Sequence, residues 1–465
     1  MFLGREREFK KLNLLWEKES FEMAVIYGRR RVGKTTLINE FCKGKANIFF
    51  AAMESSKEAN LSAFSESVFI AKGQESAAVY TGYIDLLREV GQMAKKERMI
   101  LVIDEYPYLA RADQSFSSLL QNQIDHVLKD TKLFLILCGS SISFMENQVL
   151  GYKSPLFGRR TAQFKILPFD YYDTARCFPD YQDEDRAFAY GISGGIPLYI
   201  NRLREYSDIW EAIKMEIFDT SGYLFEEPGN LLKQELREPQ TYNAIVTAIA
   251  NGCSRLNEIA MKASLDTGTC SKYIRNLTSL GIVEKELPVG EANSRKSIYR
   301  INDQLFRFWY RFVPSNMNQI VSGKIEKTFE KAVKNKLSDY MGLVFEEICK
   351  QYILFRVDEL PINLGDIGQW WGTDSKRKRQ VQIDMVVLSP DRKQAIFGEC
   401  KYRNQLLDVE ILDELIEDSN AYPGNIKKYY YLFSKSGFTD RIIKRAKKEN
   451  IMLVTLKDMM HITEQ

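Results

Sequence analysis

Eight residues near the start of the chain have the types and the spacing of a phosphate-binding loop. They run from Gly28 to Thr35 as GRRRVGKT and fit the pattern G-x-x-x-x-G-K-[ST]. The apolar run 23–27 before them predicts a buried strand, and residues 36–41 after them predict a helix, which is the context this pattern requires. A glycine turn with a chance lysine is the alternative. The predicted phosphate-binding residues are Gly28, Arg29, Arg30, Arg31, Val32, Gly33, Lys34, Thr35 and Thr36.

The residue types in this loop each have a chemical reason. Glycines let the backbone curl so that successive N–H groups point at phosphates, and the N-terminus of the following helix adds a positive dipole end. Lys34 would reach the β- and γ-phosphates of a nucleotide, and the Thr35 hydroxyl would bind Mg²⁺. The loop therefore predicts ATP and Mg²⁺ as bound cofactors.

A second apolar run supports this interpretation. Residues 99–103 are continuously apolar and lead into Asp104 and Glu105. Because a central strand of a parallel sheet is buried on both faces, we expect the two carboxylates at its C-terminal end, beside the phosphate-binding loop. Asp104 would hold Mg²⁺, and Glu105 would orient the attacking water. The alternative is a core strand that runs into an acidic surface turn.

Three charged residues near the C-terminus stand within otherwise apolar runs. Asp384 lies in the run 381–388; Glu399 and Lys401 follow on a second predicted strand, where a spacing of two places them on one face. Two antiparallel strands would bring the three together, with Glu346 on an upstream helix as a further carboxylate. Asp384 and Glu399 would hold Mg²⁺ against a phosphodiester, and Lys401 would position or activate water. The alternative is a salt bridge on a solvent face, although charges within apolar strands favour a site.

The composition excludes several other classes of protein. A length of 465 residues predicts about three domains, and 45% hydrophobic with 27% charged residues is ordinary for a globular protein. No apolar stretch approaches ~20 residues and no signal peptide is recognisable, so we expect cytoplasmic residence and no membrane partner. Seven scattered cysteines and two histidines disfavour a zinc site or a Cys-His catalytic pair. A net charge of +3 confines any nucleic-acid surface to a local patch.

The elements that would position these residues form three blocks. Residues 1–220 alternate apolar runs with helical patterns, and the runs 134–140 and 164–167 predict further strands. This alternation is typical of a doubly wound α/β domain. In the C-terminal block, a dense basic cluster extends from Lys376 to Arg379.

The middle block, residues 230–300, predicts three helices followed by a β-hairpin. The helices cover 242–250 and 255–264 and then run from a cap at Asp266 to Gly281. This order is typical of a winged helix, whose third helix enters the major groove of DNA. A winged helix that serves only as a spacer is an equally open alternative. The predicted phosphate contacts are Lys272 and Arg275 on the third helix and Arg295 and Lys296 in the wing.

Eight motifs spread over nearly the whole chain are specific in combination. They are FLGRE at 2–6, YGRRRVGKT at 27–35, IDEYPYL at 103–109, GSS at 139–141, PLFGRR at 155–160, GGIP at 194–197, FRFWYRFV at 306–313 and GECK at 398–401. With them the chain resembles the archaeal-type P-loop ATPases of archaea and anaerobic bacteria, relatives of the STAND and AAA+ ATPases. Members of that family carry a C-terminal domain of unknown function that resembles PD-(D/E)xK nucleases.

This resemblance implies further roles in the ATPase site. Ser140 matches a polar residue that senses the γ-phosphate in AAA-like ATPases. Arg159 and Arg160 match paired arginines that are candidates for an arginine finger or a nucleotide sensor, with ordinary salt bridging as the alternative. Gly195 and Pro197 match a turn that contacts the base in STAND proteins.

The resemblance also implies roles at the two ends of the chain. The segment 2–5 is similar to one that packs near the adenine. Gln382 stands where some relatives are expected to carry an acidic residue, so the second metal site departs from the pattern there.

We therefore predict an α/β chain of three domains. A P-loop NTPase parallel-sheet domain with a helical lid covers 1–225, a winged helix covers 226–305, and an α/β restriction-endonuclease-like domain covers 306–465. Two functions follow: an ATPase coupled to a metal-dependent nuclease that acts on DNA, or a signalling or scaffold ATPase whose C-terminal domain binds nucleic acid or protein without cleavage. Further copies of the chain, in a homo-oligomer, are the other expected partner.

Overall fold

The computed structural model describes residues 3–74, 78–291 and 296–460. The chain divides into two compact units. Unit 1 runs to Pro168 and includes Ile196–Leu198, and unit 2 comprises Phe169–Gly195 and the residues from Tyr199 onward. The segment 169–195, which we assigned to the ATPase domain as part of its lid, thus belongs to the second unit.

Unit 1 is built on a five-stranded parallel sheet. Its strands lie in the order β2-β3-β4-β1-β5. Three of them, β1, β3 and β4, are buried along their whole length, as expected for central strands covered on both faces. The predicted parallel α/β domain is confirmed. The strands are β1 (Glu22–Tyr27), β2 (Asn47–Ala51), β3 (Met99–Asp104), β4 (Leu133–Gly139) and β5 (Ala162–Lys165).

The position of β4 differs from the simplest expectation. This strand lies between β1, which leads into the phosphate-binding loop, and β3, which ends in the acidic pair. The end of β4 therefore adds its own residues, Gly139 and Ser140, to the same edge of the sheet. Because strand order is a long-range property, a local apolar pattern does not reveal it.

Helices precede and connect these strands. Several of them pack their apolar faces on the sheet in one core, which includes Phe64, Leu87, Leu120 and Met145. The helices are α1 (Glu6–Trp16), α2 (Lys34–Cys42), α3 (Lys57–Ala71), α4 (Tyr83–Lys96), α5 (Tyr106–Ala112), α6 (Phe116–His126) and the single turn α7 (Ile142–Phe144), which continues as a π-turn over Met145–Val149.

Unit 2 contains most of the helices. They are α8 (Tyr171–Arg176), α9 (Asp183–Ser193), α10 (Pro197–Leu203, whose first two residues belong to unit 1), α11 (Ile209–Ile217), α12 (Glu227–Glu235), α13 (Pro239–Ala250), α14 (Leu256–Lys262), α15 (Thr267–Ser279), α16 (Gln304–Phe312), α17 (Met317–Val321), α18 (Ile325–Thr328), α19 (Leu337–Phe355), α20 (Val409–Asp418), α21 (Asp440–Glu449) and α22 (Leu456–Met460).

The helices α13, α14 and α15 precede an antiparallel pair, β6 (Val283–Glu286) and β7 (Ile298–Ile301), in the predicted order. Asp266 caps α15 by accepting a hydrogen bond from the backbone N–H of Thr269 at 2.9 Å. Gly281 follows α15 with a φ of +70°, a left-handed conformation that suits glycine. The interpretation of these elements as a DNA-binding winged helix remains a prediction.

The C-terminal part of unit 2 holds a second five-stranded sheet, in the order β12-β11-β10-β9-β8. Strands β8, β9 and β10 are antiparallel neighbours, whereas β10, β11 and β12 run parallel. Helices α20 and α21 contribute Leu412 and Ile442 to a core with Val381 and Ile383 of the sheet. The strands are β8 (Ile367–Asp374), β9 (Arg379–Leu388), β10 (Gln394–Lys401), β11 (Lys427–Ser434) and β12 (Met452–Thr455).

Strand β9 carries a β-bulge. Its pairing with β8 shifts register so that Asp384 and Met385 lie opposite the single residue Gln369. The ladder between β9 and β10 ends at the pair Met385–Gly398. Asp384 therefore lies where β9 separates from β10, at an opening between the two strands.

Candidate functional site

The phosphate-binding loop has the backbone that its glycines predict. Gly33 has a φ of +86° and directly precedes α2, which begins at Lys34, two residues earlier than expected. A Cβ on Gly28 would lie 2.2 Å from the carbonyl oxygen of Ile166, so no larger residue fits there. Arg31 also has a positive φ, of +72°. The loop is thus a strained curl closed against the exit of β5.

Lys34 lies inside this curl. Its Nζ donates to the carbonyl oxygens of Gly28 and Arg29 at 3.0 and 2.9 Å, and only 7% of the residue is exposed. Burial lowers the pKa of Lys34 below its usual range, and the charges of Glu105 and Asp104 oppose that shift. The ammonium group is therefore held by backbone oxygens at the place where phosphates would meet it.

Thr35 and Asp104 meet across the edge of the sheet. The Thr35 hydroxyl donates to Oδ2 of Asp104 at 3.0 Å, and Oδ1 of Asp104 accepts from the backbone N–H of Glu105 at 2.9 Å. Hydroxyl and carboxylate oxygens are ligands that Mg²⁺ accepts together with phosphate oxygens. The pair fits the magnesium role assigned to it.

Glu105 stands at the start of α5 with φ and ψ of +47° and +42°, a left-handed conformation that is uncommon outside glycine. Its Oε2 accepts two hydrogen bonds from Ser140, at 2.9 Å from the hydroxyl and 3.3 Å from the backbone N–H. Strained backbone of this kind concentrates at functional sites. Ser140, which directly follows β4, thus holds the carboxylate predicted to orient water.

Two further arginines brace the loop. Arg5 donates to the carbonyl oxygens of Val32 at 3.0 Å and Leu167 at 2.6 Å, which joins the N-terminal segment to the loop. Arg30 donates to the Tyr108 hydroxyl at 2.7 Å. The loop sequence alone gave no signal for Tyr108, because the two residues are 78 positions apart.

The paired arginines differ in their surroundings. Arg159 forms a two-point ion pair with Asp125, at 2.9 Å from Nε and 2.6 Å from Nη2, which is the salt-bridging alternative raised above. No local pattern marks Asp125 on α6 as its partner. Burial raises the pKa of Tyr27, the last residue of β1, and the positive charge of Arg160 opposes that shift. Arg160 therefore lies near the start of the loop.

Gly195 and Pro197 fall on either side of the division between the units. Pro197 belongs to unit 1, where its Cγ lies 3.7 Å from the position of a Cβ on Gly33. Gly195 belongs to unit 2 and has a φ of +72°; a Cβ there would lie 1.9 Å from the carbonyl oxygen of Phe169. The proline is thus beside the phosphate-binding loop, and the glycine is fixed by its close approach to Phe169.

The second group of predicted site residues lies at the opening between β9 and β10. Oδ2 of Asp384 accepts from the backbone N–H of Cys400 at 3.1 Å, which replaces the next hydrogen bond of the ladder. Nζ of Lys401 lies 3.6 Å from the same oxygen and forms a close ion pair with Glu399. The structure therefore brings Asp384, Glu399 and Lys401 together, as the strand pattern predicts.

Electrostatics at this opening are dominated by carboxylates. Burial and the charge of Asp384 raise the pKa of Glu399 to about 7. Burial acts to lower the pKa of Lys401, but Glu399 and Asp384 outweigh it and raise the pKa overall. Burial and Asp384 also raise the pKa of Glu346, on α19, to about 8, and Glu346 accepts a close hydrogen bond from Gln369. No sequence pattern predicted a role for Gln369 beside these carboxylates.

The carboxylate oxygens offer ligands of the type that Mg²⁺ prefers, and Lys401 now occupies the space between two of them. In the part of the chain that the structure describes, no group of three or more His, Cys, Asp or Glu side chains is arranged to hold a metal ion. A divalent ion at this opening would therefore be held by two protein carboxylates and by substrate oxygens.

The predicted nucleic-acid contacts lie on two elements, the helix α15 and the loop between β6 and β7. Lys272 and Arg275 on α15 are exposed and form no ion pair with described residues. The carbonyl oxygen of Lys296 accepts from the Trp371 indole at 3.1 Å, and the backbone N–H of Val289 donates to the carbonyl of Gln369 at 2.9 Å. Arg295 lies outside the described residues. Val289 and Lys296, on either side of Arg295, thus both bond to residues of β8.

Comparison with known proteins agrees with the first site. Residues 2–203 match a family described as an ATPase domain predominantly from Archaea. Residues 309–414 match a family described as archaea bacterial proteins of unknown function. Together with the loop geometry, these matches define a P-loop ATPase with an additional C-terminal domain. Among residues 3–74, 78–291 and 296–460, no helix combines the length and the apolar character needed to cross a membrane.

Individual relatives support the assignment. An uncharacterized protein of Methanocaldococcus jannaschii is 32% identical over 409 residues, which cover 87% of this chain and 88% of the relative. An uncharacterized ATP-binding protein of the same organism is 42% identical over 45 residues, 10% of this chain and 76% of that protein. A Walker-type ATPase of Pyrococcus abyssi has a similar fold, with a TM-score of 0.53, 20% identity, and coverage of 67% of this chain and 96% of that one. The chain belongs to the family of archaeal P-loop ATPases that combine these two domains.

Proposed function

We propose that the ATPase of unit 1 is coupled to a Mg²⁺-dependent nuclease in unit 2 that acts on DNA. The observation that carries this proposal is the placement of Asp384, Glu399 and Lys401 at the opening beside a β-bulge. Bulges are common next to active sites, where they redirect a side chain. Here the bulge turns Asp384 towards Cys400 and Lys401 and interrupts an otherwise apolar ladder.

In unit 1, ATP would draw the Lys34 ammonium from the carbonyl oxygens of the loop to its β- and γ-phosphates. Thr35 and Asp104 would hold Mg²⁺, which would neutralise charge developing on the transferred phosphate. Glu105 would orient the attacking water, and Ser140 would keep that carboxylate in place through its two hydrogen bonds. Gly195 and Pro197 remain proposed contacts to the nucleotide, and Arg159 and Arg160 remain proposed sensors.

In unit 2, Asp384 and Glu399 would hold the divalent ion, with Glu346 as a further carboxylate beside it. The bound ion would offset phosphodiester charge and lower the pKa of a water molecule. Lys401 would then leave its carboxylate partners and stabilise the charge that develops on the phosphate. Lys272 and Arg275 on α15 would contact duplex phosphates. Lys296, whose carbonyl oxygen is bonded to the Trp371 indole, would contribute less to DNA binding than the sequence suggests.

The ATPase assignment is tested by two substitutions. Lys34→Ala removes the phosphate-binding charge, so ATP affinity measured by calorimetry should fall at least about ten-fold, since a charged hydrogen bond contributes about 1.5–3 kcal/mol. Glu105→Gln should bind ATP normally and release phosphate slowly, because only the water-orienting step is lost. Lys43→Ala, an exposed lysine at the end of the same helix, is the control. Unchanged ATP binding by Lys34→Ala would contradict the assignment.

The nuclease assignment is tested by cleavage of plasmid, linear duplex and single-stranded DNA in Mg²⁺ or Mn²⁺, with and without ATP. Asp384→Ala should lose cleavage, and Lys401→Ala should retain metal binding but cut slowly. Asp413→Ala, which removes an exposed carboxylate from α20, is the matched control. If the wild-type chain and Asp384→Ala cut equally, the activity does not come from this site.

A second candidate function is a signalling or scaffold ATPase whose unit 2 binds nucleic acid or protein without cutting it. The absence of a three-ligand metal arrangement among the described residues favours this candidate. It predicts no cleavage of any of these substrates by the wild-type chain, together with nucleotide-dependent assembly measured by light scattering.

A further inference from the structure

The basic cluster Lys376–Arg379 has no part in the sites described so far. It forms the turn between β8 and β9 and the start of β9. Its two arginines are used within the fold: Arg377 pairs with Asp374 and closely with Glu417, and Arg379 pairs closely with Asp418. These ion pairs fix the hairpin to the end of α20.

The two lysines of the cluster behave differently. Lys376 and Lys378 are exposed, and their side chains form neither an ion pair nor a hydrogen bond with described residues. Lys378 has a φ of +54°, which places it in the tight part of the turn. The arginines therefore join the turn to α20, and the turn presents two exposed positive charges.

One face of the same hairpin leads from these lysines to Asp384. Gln380 and Gln382 alternate on β9 and are exposed, and the side chain of Gln382 forms no hydrogen bond with described residues. Gln380 donates to Thr373 at 3.0 Å, and Trp371 is the cross-strand partner of Gln382. The buried alternates, Val381 and Ile383, face the α20 core. This face thus carries two exposed amides and the half-buried Trp371, whose indole N–H donates to the carbonyl oxygen of Lys296, rather than apolar aliphatic side chains.

From this arrangement we propose that the exposed face of the β8–β9 hairpin, defined by Lys376, Lys378, Gln380, Gln382 and Trp371, binds a single strand of nucleic acid and leads it to the opening at Asp384. The inference rests on the proposed function of that opening. Free lysines attract phosphates, exposed amides hydrogen-bond to bases, and an indole offers a surface for stacking. From Arg379 to Asp384, β9 rises by about 17 Å, at ~3.3 Å per residue.

Continuity favours this occupant. Gln382 is two residues from Asp384 on β9, so a nucleic-acid strand that lies along this face would reach the carboxylates without changing direction. Gln369, on β8 opposite the bulge, already donates to Glu346, which shows that this face adjoins the carboxylate cluster. An acidic residue at position 382 would repel phosphate, whereas the neutral Gln382 allows a nucleic-acid strand to approach.

The experiment measures binding of a fluorescein-labelled single-stranded DNA of about ten nucleotides, and of the corresponding RNA and duplex, by fluorescence anisotropy in buffer with EDTA. The double variant Lys376→Ala/Lys378→Ala should weaken single-strand binding about ten-fold at low salt. It should also reduce the slope of log affinity against log salt by about 1.4, since each phosphate contact on a single strand contributes ~0.7. Gln380→Ala/Gln382→Ala should weaken binding with little change in slope.

The control is Lys447→Ala/Lys448→Ala, which removes the same charge from two exposed lysines on α21. Equal weakening by the control, unchanged binding by the hairpin variants, or no single-strand binding by the wild-type chain would each overturn the inference. Thermal unfolding of every variant confirms that the fold is intact. Cleavage is read separately, so a chain that binds through the hairpin but does not cut would contradict the nuclease and leave this surface standing.

Discussion

The Glu105 carboxylate is held by Ser140 rather than by a residue of the phosphate-binding loop. The Ser140 hydroxyl and backbone N–H both donate to its carboxylate, and its own backbone is left-handed. Ser140→Ala removes the shorter of these bonds, so ATP hydrolysis should fall by roughly ten-fold while ATP affinity stays unchanged. Phosphate release and calorimetry measure the two quantities. Ser141→Ala is the control, and an equal loss of rate there would contradict the specific role of Ser140.

Glu284 on β6 gives unit 2 a pH dependence. Burial and the charge of Glu286 raise the pKa of Glu284 to about 7 from a usual value of 4.5. The folded state therefore binds this proton more tightly than the unfolded state, and the free energy of unfolding should fall as pH rises from about 4.5 to 7.

Glu284→Gln removes the ionisation that causes this loss. At pH 8 the variant should be more stable than the wild type by on the order of 1 kcal/mol, because one pKa unit corresponds to about 1.4 kcal/mol. Urea denaturation at pH 5 and pH 8 measures the difference, with the exposed Glu330→Gln as control. A wild-type chain equally stable at both pH values, with an unchanged response in the variant, would disprove the assignment.

At the scale of elements, Gly195 joins α9 to α10 through a contact that no side chain permits. A Cβ would lie 1.9 Å from the carbonyl oxygen of Phe169, and the φ of +72° adds strain. Gly195→Ala should destabilise unit 2 by more than about 1–3 kcal/mol. Gly323→Ala has the same φ, +73°, without a described atom within 4 Å, so it separates strain from collision. Equal melting temperatures of the two variants would contradict the argument.

The contiguous parts of the fold could be predicted from the sequence. The loop from Gly28 to Thr35 and the acidic end of β3 are local patterns, and in the structure the Thr35 hydroxyl donates a hydrogen bond to Asp104. The strands bearing Asp384 and Glu399 were also evident, since charges interrupt apolar runs. In each case the determining interactions are between residues close together in sequence, so the pattern of apolar and polar residues predicts them directly.

Features that depend on distant pairing could not be predicted. The partner of Arg159 is 34 residues away on α6, and nothing in the sequence around Asp125 marks it as that partner. The bulge at Asp384 depends on the register with β8, which the alternation of β9 does not specify. The hydrogen bond from the Trp371 indole to the carbonyl oxygen of Lys296 likewise joins residues 75 positions apart, which no local pattern specifies.

At the scale of the whole molecule, the two proposed reactions belong to different compact units. Asp384→Ala should therefore leave ATP hydrolysis within about two-fold of the wild type, since the two proposed sites share no residues and the effects of independent sites are additive. Lys34→Ala should retain metal-dependent cleavage but lose any response to ATP. Phosphate release and DNA cleavage, measured on the same preparations, test both statements. A large loss of ATP hydrolysis in Asp384→Ala would show that the sites are not independent.

The route of the chain between the units limits how the protein can be divided. The backbone leaves unit 1 after Pro168, returns to it for Ile196–Leu198 and leaves again, so three peptide connections link the units. A cut after Pro168 or after Gly195 would separate Pro197 from the loop that it adjoins, and a cut after Leu198 would leave residues 169–195 of unit 2 with unit 1. A single cut therefore never separates the two units cleanly. The two units would tend to be inherited as one piece, and fragments for expression should keep residues 196–198 with the ATPase.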